Sequence, residues 1–363
     1  MATLEIKNLT KKFGRKVIAV DDVSLEVHDQ EFLVLLGPSG CGKTTTMRII
    51  AGLEEVTDGE ILIDGVNVTD LPPRNRNVSM VFQNYAIWPH MSVYENISYA
   101  LKLKRMEKSE IDRIVRDVAR MTKIGEYLER LPTQLSGGQQ QRVAVARAIA
   151  VSPKVFLMDE PLSNLDAKLR ISMRTELKAI HASAKATTVF VTHDQSEAMS
   201  VADRIVIMKD GKIIQIGSSE EVYEKSANIF VADFIGTPPT NFFDVSLKKK
   251  DGVLHLVNSH FDLPLTPENE AILKNYRKDH ITLGVRPENI LLVNEPTSIL
   301  STTALVVEPQ GSHQVIAFTL DEKIVKVVAP SQPKAKVGEA IHLNFKQEAL
   351  RFFDPESTLA IGD

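Results

Sequence analysis

The segment FLVLLGPSGCGKTTTMRII, residues 32–50, leaves a chain few ways to fold. FLVLL is an unbroken apolar run, as expected of a strand covered on both faces, and a helical pattern follows the glycines directly. Glycine lets such a loop curl until successive amides converge, and the helix N-terminus beyond it adds partial positive charge. Strand, glycine loop and helix in that order make a phosphate cradle of the Walker A pattern. Lys43 is expected to reach the β- and γ-phosphates of ATP, and the Thr44 hydroxyl to bind Mg2+. Ser39, Gly40, Gly42 and Thr45 belong to the same cradle, whereas Cys41 fills a variable position and reads as an indifferent small residue.

Short apolar runs recur through the first half: NVSMVFQ (77–83), KVFLMDEP (154–161) and TTVFVTHD (187–194). Each ends in polar residues, where α/β folds keep their chemistry. KVFLMDEP delivers two adjacent acids to a strand end, the Walker B pattern. Asp159 is expected to hold Mg2+ through water, and Glu160 to orient and polarise an attacking water. MATLEIKNLTKKF alternates as a strand, and hairpins are expected to turn at Asp64-Gly65 and Asp210-Gly211. Between Gln83 and Leu135 the period becomes helical, with Ile111, Ile114, Val115, Val118 and Met121 on one face. We expect a helical insertion over roughly residues 88–150. One helix is expected over EEVYEKSANIFVADFIG, ending at the proline-rich GTPPTNFF. That stretch sets the expected boundary between domains 1–236 and 237–363. The tail is a series of short β-branched runs separated by turn residues, which predicts a small all-β barrel. KKK at 248–250 reads as a solvated turn.

The bulk numbers narrow the function classes. A net charge of −4 gives no electrostatic footprint for nucleic acid. One cysteine in 363 residues excludes an internal disulfide framework and suits a reducing compartment. No apolar run approaches the length needed to span a bilayer, so a membrane role is expected to come through partners.

A second glycine-rich turn, LSGGQ at 135–139, lies between the two nucleotide motifs. With it, the chain resembles the ATP-binding-cassette (ABC) ATPases, in which the signature turn of one subunit faces the phosphate loop of another. The resemblance implies an α/β P-loop cassette with a helical insertion, followed by a small all-β accessory barrel. Ser136, with the amides of Gly137 and Gly138 and the neighbouring Gln139, heads a helix and would address the γ-phosphate held by a second copy. A twofold homodimer closing on two ATP molecules follows from that arrangement. Matched one by one, Gln83 resembles the residue that contacts Mg2+ or the water and relays to a membrane partner. Asp166 resembles the aspartate that crosses the dimer, and His193 the histidine that donates to the γ-phosphate. Phe13 stands where the family places an aromatic that stacks on adenine, the alternative being a core ring. YAIWPHMSVYENI, around Trp88, is either a core-packed loop or the groove that receives a helix of a membrane subunit.

IGTPPTNFFD, LGVRPENI and RFFDPES are similar to tail elements of maltose-type, MalK-like carbohydrate importers. The resemblance implies an ATPase at the cytoplasmic face of the cell membrane. Its expected partners are two transmembrane permease subunits and, indirectly, an extracytoplasmic solute-binding protein. Related importers of sulfate, iron or polyamines share the architecture. Two other readings stay open on sequence: a soluble ATPase whose barrel grips single-stranded nucleic acid, and a small-molecule kinase on the same phosphate loop. The first lacks a basic stripe, and the second leaves LSGGQ and His193 without a task.

Overall fold

The computed structural model describes residues 2–14 and 16–362. They form two compact units, divided between Ser219 and Glu220.

The first unit opens with β1 (Leu4–Phe13) and β2 (Val17–Val27), then β3 (Phe32–Leu36), α1 (Lys43–Ala51), β4 (Asp58–Ile63), β5 (Val66–Asn67) and β6 (Val78–Val81). Three helices follow, α2 (Val93–Leu103), α3 (Lys108–Met121) and α4 (Gly137–Ile149). The chain then returns to the sheet through β7 (Val155–Asp159), α5 (Ala167–Ala184), β8 (Thr187–Thr192), α6 (Gln195–Val201), β9 (Arg204–Lys209) and β10 (Lys212–Gly217). One sheet runs β10-β9-β3-β8-β7-β6, parallel except for the β10 edge. A second, antiparallel sheet runs β2-β1-β4-β5. The inner faces of both sheets and α1 share one core, which includes Leu4, Ile6, Leu33, Leu35, Met47 and Val189. Burying each such side chain contributes roughly 1.5–3 kcal/mol. The Arg76 guanidinium caps the far end of α1, donating to the carbonyls of Ile49 (2.7 Å) and Ile50 (3.1 Å).

The helical insertion forms as its period predicts, and α3 buries Ile111, Val115, Val118 and Ala119. Met121, expected on that face, is 37% exposed at the residue where α3 ends.

The second unit contains α7 (Ser219–Glu224) from Glu220 onward and α8 (Ile229–Phe234), then β11 (Asn241–Lys250), β12 (Val253–Val257), β13 (Asp262–Pro264), α9 (Pro267–Leu273), β14 (His280–Val285) and β15 (Ile290–Leu292). It ends with β16 (Leu300–Thr303), β17 (Val306–Pro309), β18 (His313–Leu320), β19 (Lys323–Pro330), β20 (Ala340–Phe345) and β21 (Arg351–Phe353). All its strand pairs are antiparallel, in sheets β13-β12-β11-β14-β21, β15-β20-β16 and β17-β18-β19, which share one apolar core.

Two sequence expectations need correction here. The single helix over 220–236 is two, because the Asn228 side chain accepts the amide of Val231 and starts a new helix. Both helices are tied to the strands: Arg286 donates to the carbonyls of Ile235 (2.6 Å) and Tyr223. Lys248, Lys249 and Lys250 are exposed as expected, yet they end strand β11. The turn itself is Asp251-Gly252, whose positive φ angles suit those two residues.

Candidate functional site

Gly42 shows why the phosphate loop needs its glycines. Its φ is 102°, and a Cβ there would lie 2.3 Å from the Ala19 carbonyl oxygen. The loop therefore closes against β2, and Lys43 emerges at the head of α1, only 5% exposed. Its ammonium donates to the carbonyls of Gly37 (2.8 Å) and Pro38 (2.9 Å), which points it across the mouth of the loop. Ser39 and Gly40 are exposed on that mouth, and Thr44 and Thr45 are half-buried in the first turn. Burial pushes the Cys41 thiol up, and its side chain packs into the core as a small apolar group.

Sheet register gathers the remaining chemistry. Leu36 pairs with Thr192 across β3 and β8, and Asp159 pairs with Val191 across β7 and β8. The loop after β3, the acids after β7 and the histidine after β8 thus share one edge. The Thr44 hydroxyl donates to Asp159 Oδ1 at 3.0 Å. Burial raises the Asp159 pKa; the bond from Thr44 opposes this, and the neighbouring Glu160 adds to it. Glu160 Oε2 lies 3.1 Å from His193 Nδ1. Gln83, two residues beyond the Val81–Met158 pair, is exposed beside the end of β7, its carbonyl accepting from Asn164 Nδ2 at 2.8 Å.

The Thr44 hydroxyl and the half-buried Asp159 carboxylate, with the Gln83 amide on the same edge, offer only oxygen donors, which fits Mg2+ rather than a softer ion. Among the described residues no cluster of three or more His, Cys, Asp or Glu is placed to hold a metal.

The signature turn heads α4. Ser136 caps α4 in a reciprocal box: its hydroxyl accepts the Gln139 amide (3.4 Å), and Gln139 Oε1 accepts the Ser136 amide (2.8 Å). Ser136 and Gly137 are exposed. At Gly138 a Cβ would come within 2.7 Å of Leu169 Cδ2, so the missing side chain lets α4 approach α5. Asp166 caps α5, accepting the Leu169 amide at 2.9 Å, and remains exposed. Phe13, at the end of β1, is 43% exposed with Lys11 Nζ 5.0 Å from its ring centre, so it is not a core ring.

Sequence reasoning missed the residues that hold these in place. Arg170 lies within 3.4 Å of Asp194 and 3.7 Å of Glu197, and donates to the carbonyl of Leu165 at 3.2 Å. It thereby joins the segment before α5 to the segment after His193. Its signal was available: a cation in the first turn of a helix opposes the dipole and asks for an acidic partner. Asn164 and Arg147 act on backbone carbonyls, which leave no trace in sequence.

The fold and edge chemistry define a phosphate-loop ATPase. Residues 20–163 match the ABC transporter family, residues 236–290 the MalK OB fold domain and residues 283–353 the TOBE domain. The chain is 44% identical to the oligosaccharides import ATP-binding protein MsmX of Bacillus subtilis, over 99% of this chain and 100% of that protein. It is also 44% identical to the multiple sugar-binding transport ATP-binding protein MsmK of Streptococcus mutans, with the same coverage. The ATP-binding cassette MJ0796, solved as a dimer in a post-hydrolysis state bound to ADP and Pi, superposes with a TM-score of 0.54 at 34% identity, covering 60% of this chain and 98% of that one. The chain belongs to the ABC transporter ATP-binding proteins, with a C-terminal unit of MalK OB and TOBE type. It binds and hydrolyses ATP. Among the described residues no helix is long and apolar enough to cross a membrane.

Proposed function

We propose that this chain powers the uptake of a sugar or oligosaccharide through separate membrane permease subunits, working as an ATP-closed homodimer at the cytoplasmic membrane face. One observation carries the dimer: the loop, Walker acids and His193 share a sheet edge, while Ser136 and Gly137 lie exposed at the head of α4 and form no hydrogen bond with them among the described residues. A second anion site facing outward is completed by another copy's nucleotide. Full-length likeness to MsmX and MsmK, at 44% identity, supports the sugar class.

In this reading the phosphate-loop amides and Lys43 hold the phosphates, and Phe13 stacks on the adenine. Thr44, Asp159 and Gln83 would hold Mg2+, which supplies charge neutralisation at the β- and γ-phosphates. Glu160 accepts the proton of the attacking water, and His193, bonded to it, keeps the carboxylate aimed and donates to the γ-phosphate. Closure of the dimer moves the loop after Gln83, and phosphate release reopens it.

The test is a Glu160→Gln variant at saturating ATP. Light scattering should give a dimer, and ADP a monomer. Pull-down of the tagged chain from solubilised native membranes should bring two multi-spanning proteins, whose sugar-dependent uptake stops when this chain is deleted. A monomer with ATP bound, together with ribosomal or DNA-bound partners, would overturn the reading.

A further inference from the structure

The loop after Gln83 is held in a costly shape by one side chain. Tyr85 and Ala86 both take left-handed backbone angles, φ 63° and 47°, although neither is glycine. The Tyr85 hydroxyl is buried with no hydrogen-bond partner, a further cost. Arg147, in the last turn of α4, offsets them. Its Nη1 donates to the Ala86 carbonyl at 2.6 Å and its Nη2 to the Tyr85 carbonyl at 3.0 Å. The same guanidinium lies 4.9 Å from the centre of the Trp88 ring. Trp88 is fixed in turn: its amide donates to Asn96 Oδ1 (2.9 Å), its carbonyl accepts from Asn96 Nδ2 (3.1 Å), and its ring packs on Tyr99 at 4.7 Å. A planar fork that spans two successive carbonyls while covering an indole is a task for arginine, which lysine cannot copy.

The helix that carries Arg147 begins at the signature turn. Ser136 lies at its head, about 16 Å away along the axis at 1.5 Å per residue. Most of α4 is buried, including Val143, Ala144, Val145 and Ala146, and its unbroken run of helical turns is stiff along its axis. A shift of the whole helix at its N-terminus would carry the Arg147 fork with it. With the fork in place, the loop has to follow. Without it, Tyr85 and Ala86 are free to relax to ordinary backbone angles and the motion is lost.

We propose that Arg147 is a positioning residue that ties the loop of Tyr85, Ala86 and Trp88 to the signature helix, so that nucleotide at Ser136 is registered at Trp88. This rests on the proposed contact of the signature turn with the neighbour's ATP. Only the part played by Arg147 in moving the loop is new.

Trp88 is the only tryptophan in the chain, so its fluorescence reports the loop alone. The experiment uses the full-length Glu160→Gln protein, in which ATP persists, and the same protein carrying Arg147→Met. Acrylamide quenching of Trp88 is compared with and without MgATP, and ATP binding and dimer formation are measured separately. We expect ATP to change the quenching constant in the parent, and this change to be lost in Arg147→Met while ATP binding and dimer formation persist. Arg147→Lys, which keeps a cation near the indole, serves if the methionine variant does not fold, and should lose about half or more of the response. A merely structural arginine would lower the melting temperature and leave the response intact. A full response in either variant overturns the proposal, as does a parent that binds ATP and dimerises with no change at Trp88. A parent that fails to bind ATP or to dimerise overturns the underlying reading instead, and the separate binding and scattering measurements tell these apart.

Discussion

The carboxylate of Glu160 and the imidazole of His193 meet at 3.1 Å, just past the ends of the adjacent parallel strands β7 and β8. Glu160 has φ 44°, and its amide donates to the Val191 carbonyl at 3.0 Å, so the backbone holds an unfavourable conformation at the candidate base. Replacing Glu160 by Gln keeps the shape and removes the proton acceptor. Hydrolysis should fall by about 10²–10⁴-fold, the usual contribution of a positioned base, while ATP affinity stays. Single-turnover phosphate release measures this, and a variant near full speed would remove Glu160 from that role.

Gly42→Ala tests the phosphate loop without touching a charged group. The added methyl meets the Ala19 carbonyl oxygen at 2.3 Å, and the backbone there is left-handed at φ 102°. The loop has to shift, at a cost of order 1–3 kcal/mol from the backbone conformation alone. We expect a lower melting temperature together with loss of detectable ATP binding by calorimetry. Unchanged binding would show that the cradle is not formed by these amides.

Phe13 presents a ring that is 43% exposed at the end of β1. If it stacks on adenine, Phe13→Ala should weaken ATP binding by about 0.5–1.5 kcal/mol, roughly two- to tenfold, and Phe13→Tyr should retain it. Equal affinities for all three proteins would leave the base to another surface.

What was legible in the sequence had short range and fixed order. FLVLL, the glycines and Lys43 follow one another along the chain, and the two acids after KVFLM announce a strand end. Their assembly also followed, since parallel strands place their C-terminal ends on one edge. What the sequence hid depends on single hydrogen bonds or on distant partners. The apolar pattern of 220–236 suits one helix, yet the Asn228 cap divides it. Asn164 grips the Gln83 carbonyl and Arg147 those of Tyr85 and Ala86, and a backbone carbonyl looks the same in every residue. Phe13 was undecided between core and base because both uses want the same flat apolar ring.

Asp354 makes the second unit's stability depend on pH in a calculable direction. Its carboxylate accepts from Lys278 Nζ (2.8 Å), the Ser357 amide (2.7 Å) and the Tyr276 hydroxyl (2.8 Å). These donors, Lys278 foremost, hold its pKa far below the ordinary 3.8. A carboxylate depressed in the folded state binds its proton more readily when unfolded. The stabilisation is therefore fully present above 3.8 and is lost as pH falls through that value towards the folded one. Asp354→Asn removes the charge, so the variant should unfold at lower urea than the parent at pH 7, and the gap should close as the pH drops below the ordinary carboxylate range. The Tyr276 phenol, pushed up to about 12 by burial and by the Asp354 carboxylate, stays protonated throughout and does not confuse the comparison. Urea midpoints of both proteins, followed through that acid range, are the measurement. A gap that stays constant with pH would mean that Asp354 acts through shape and hydrogen bonding, with no net contribution from its charge.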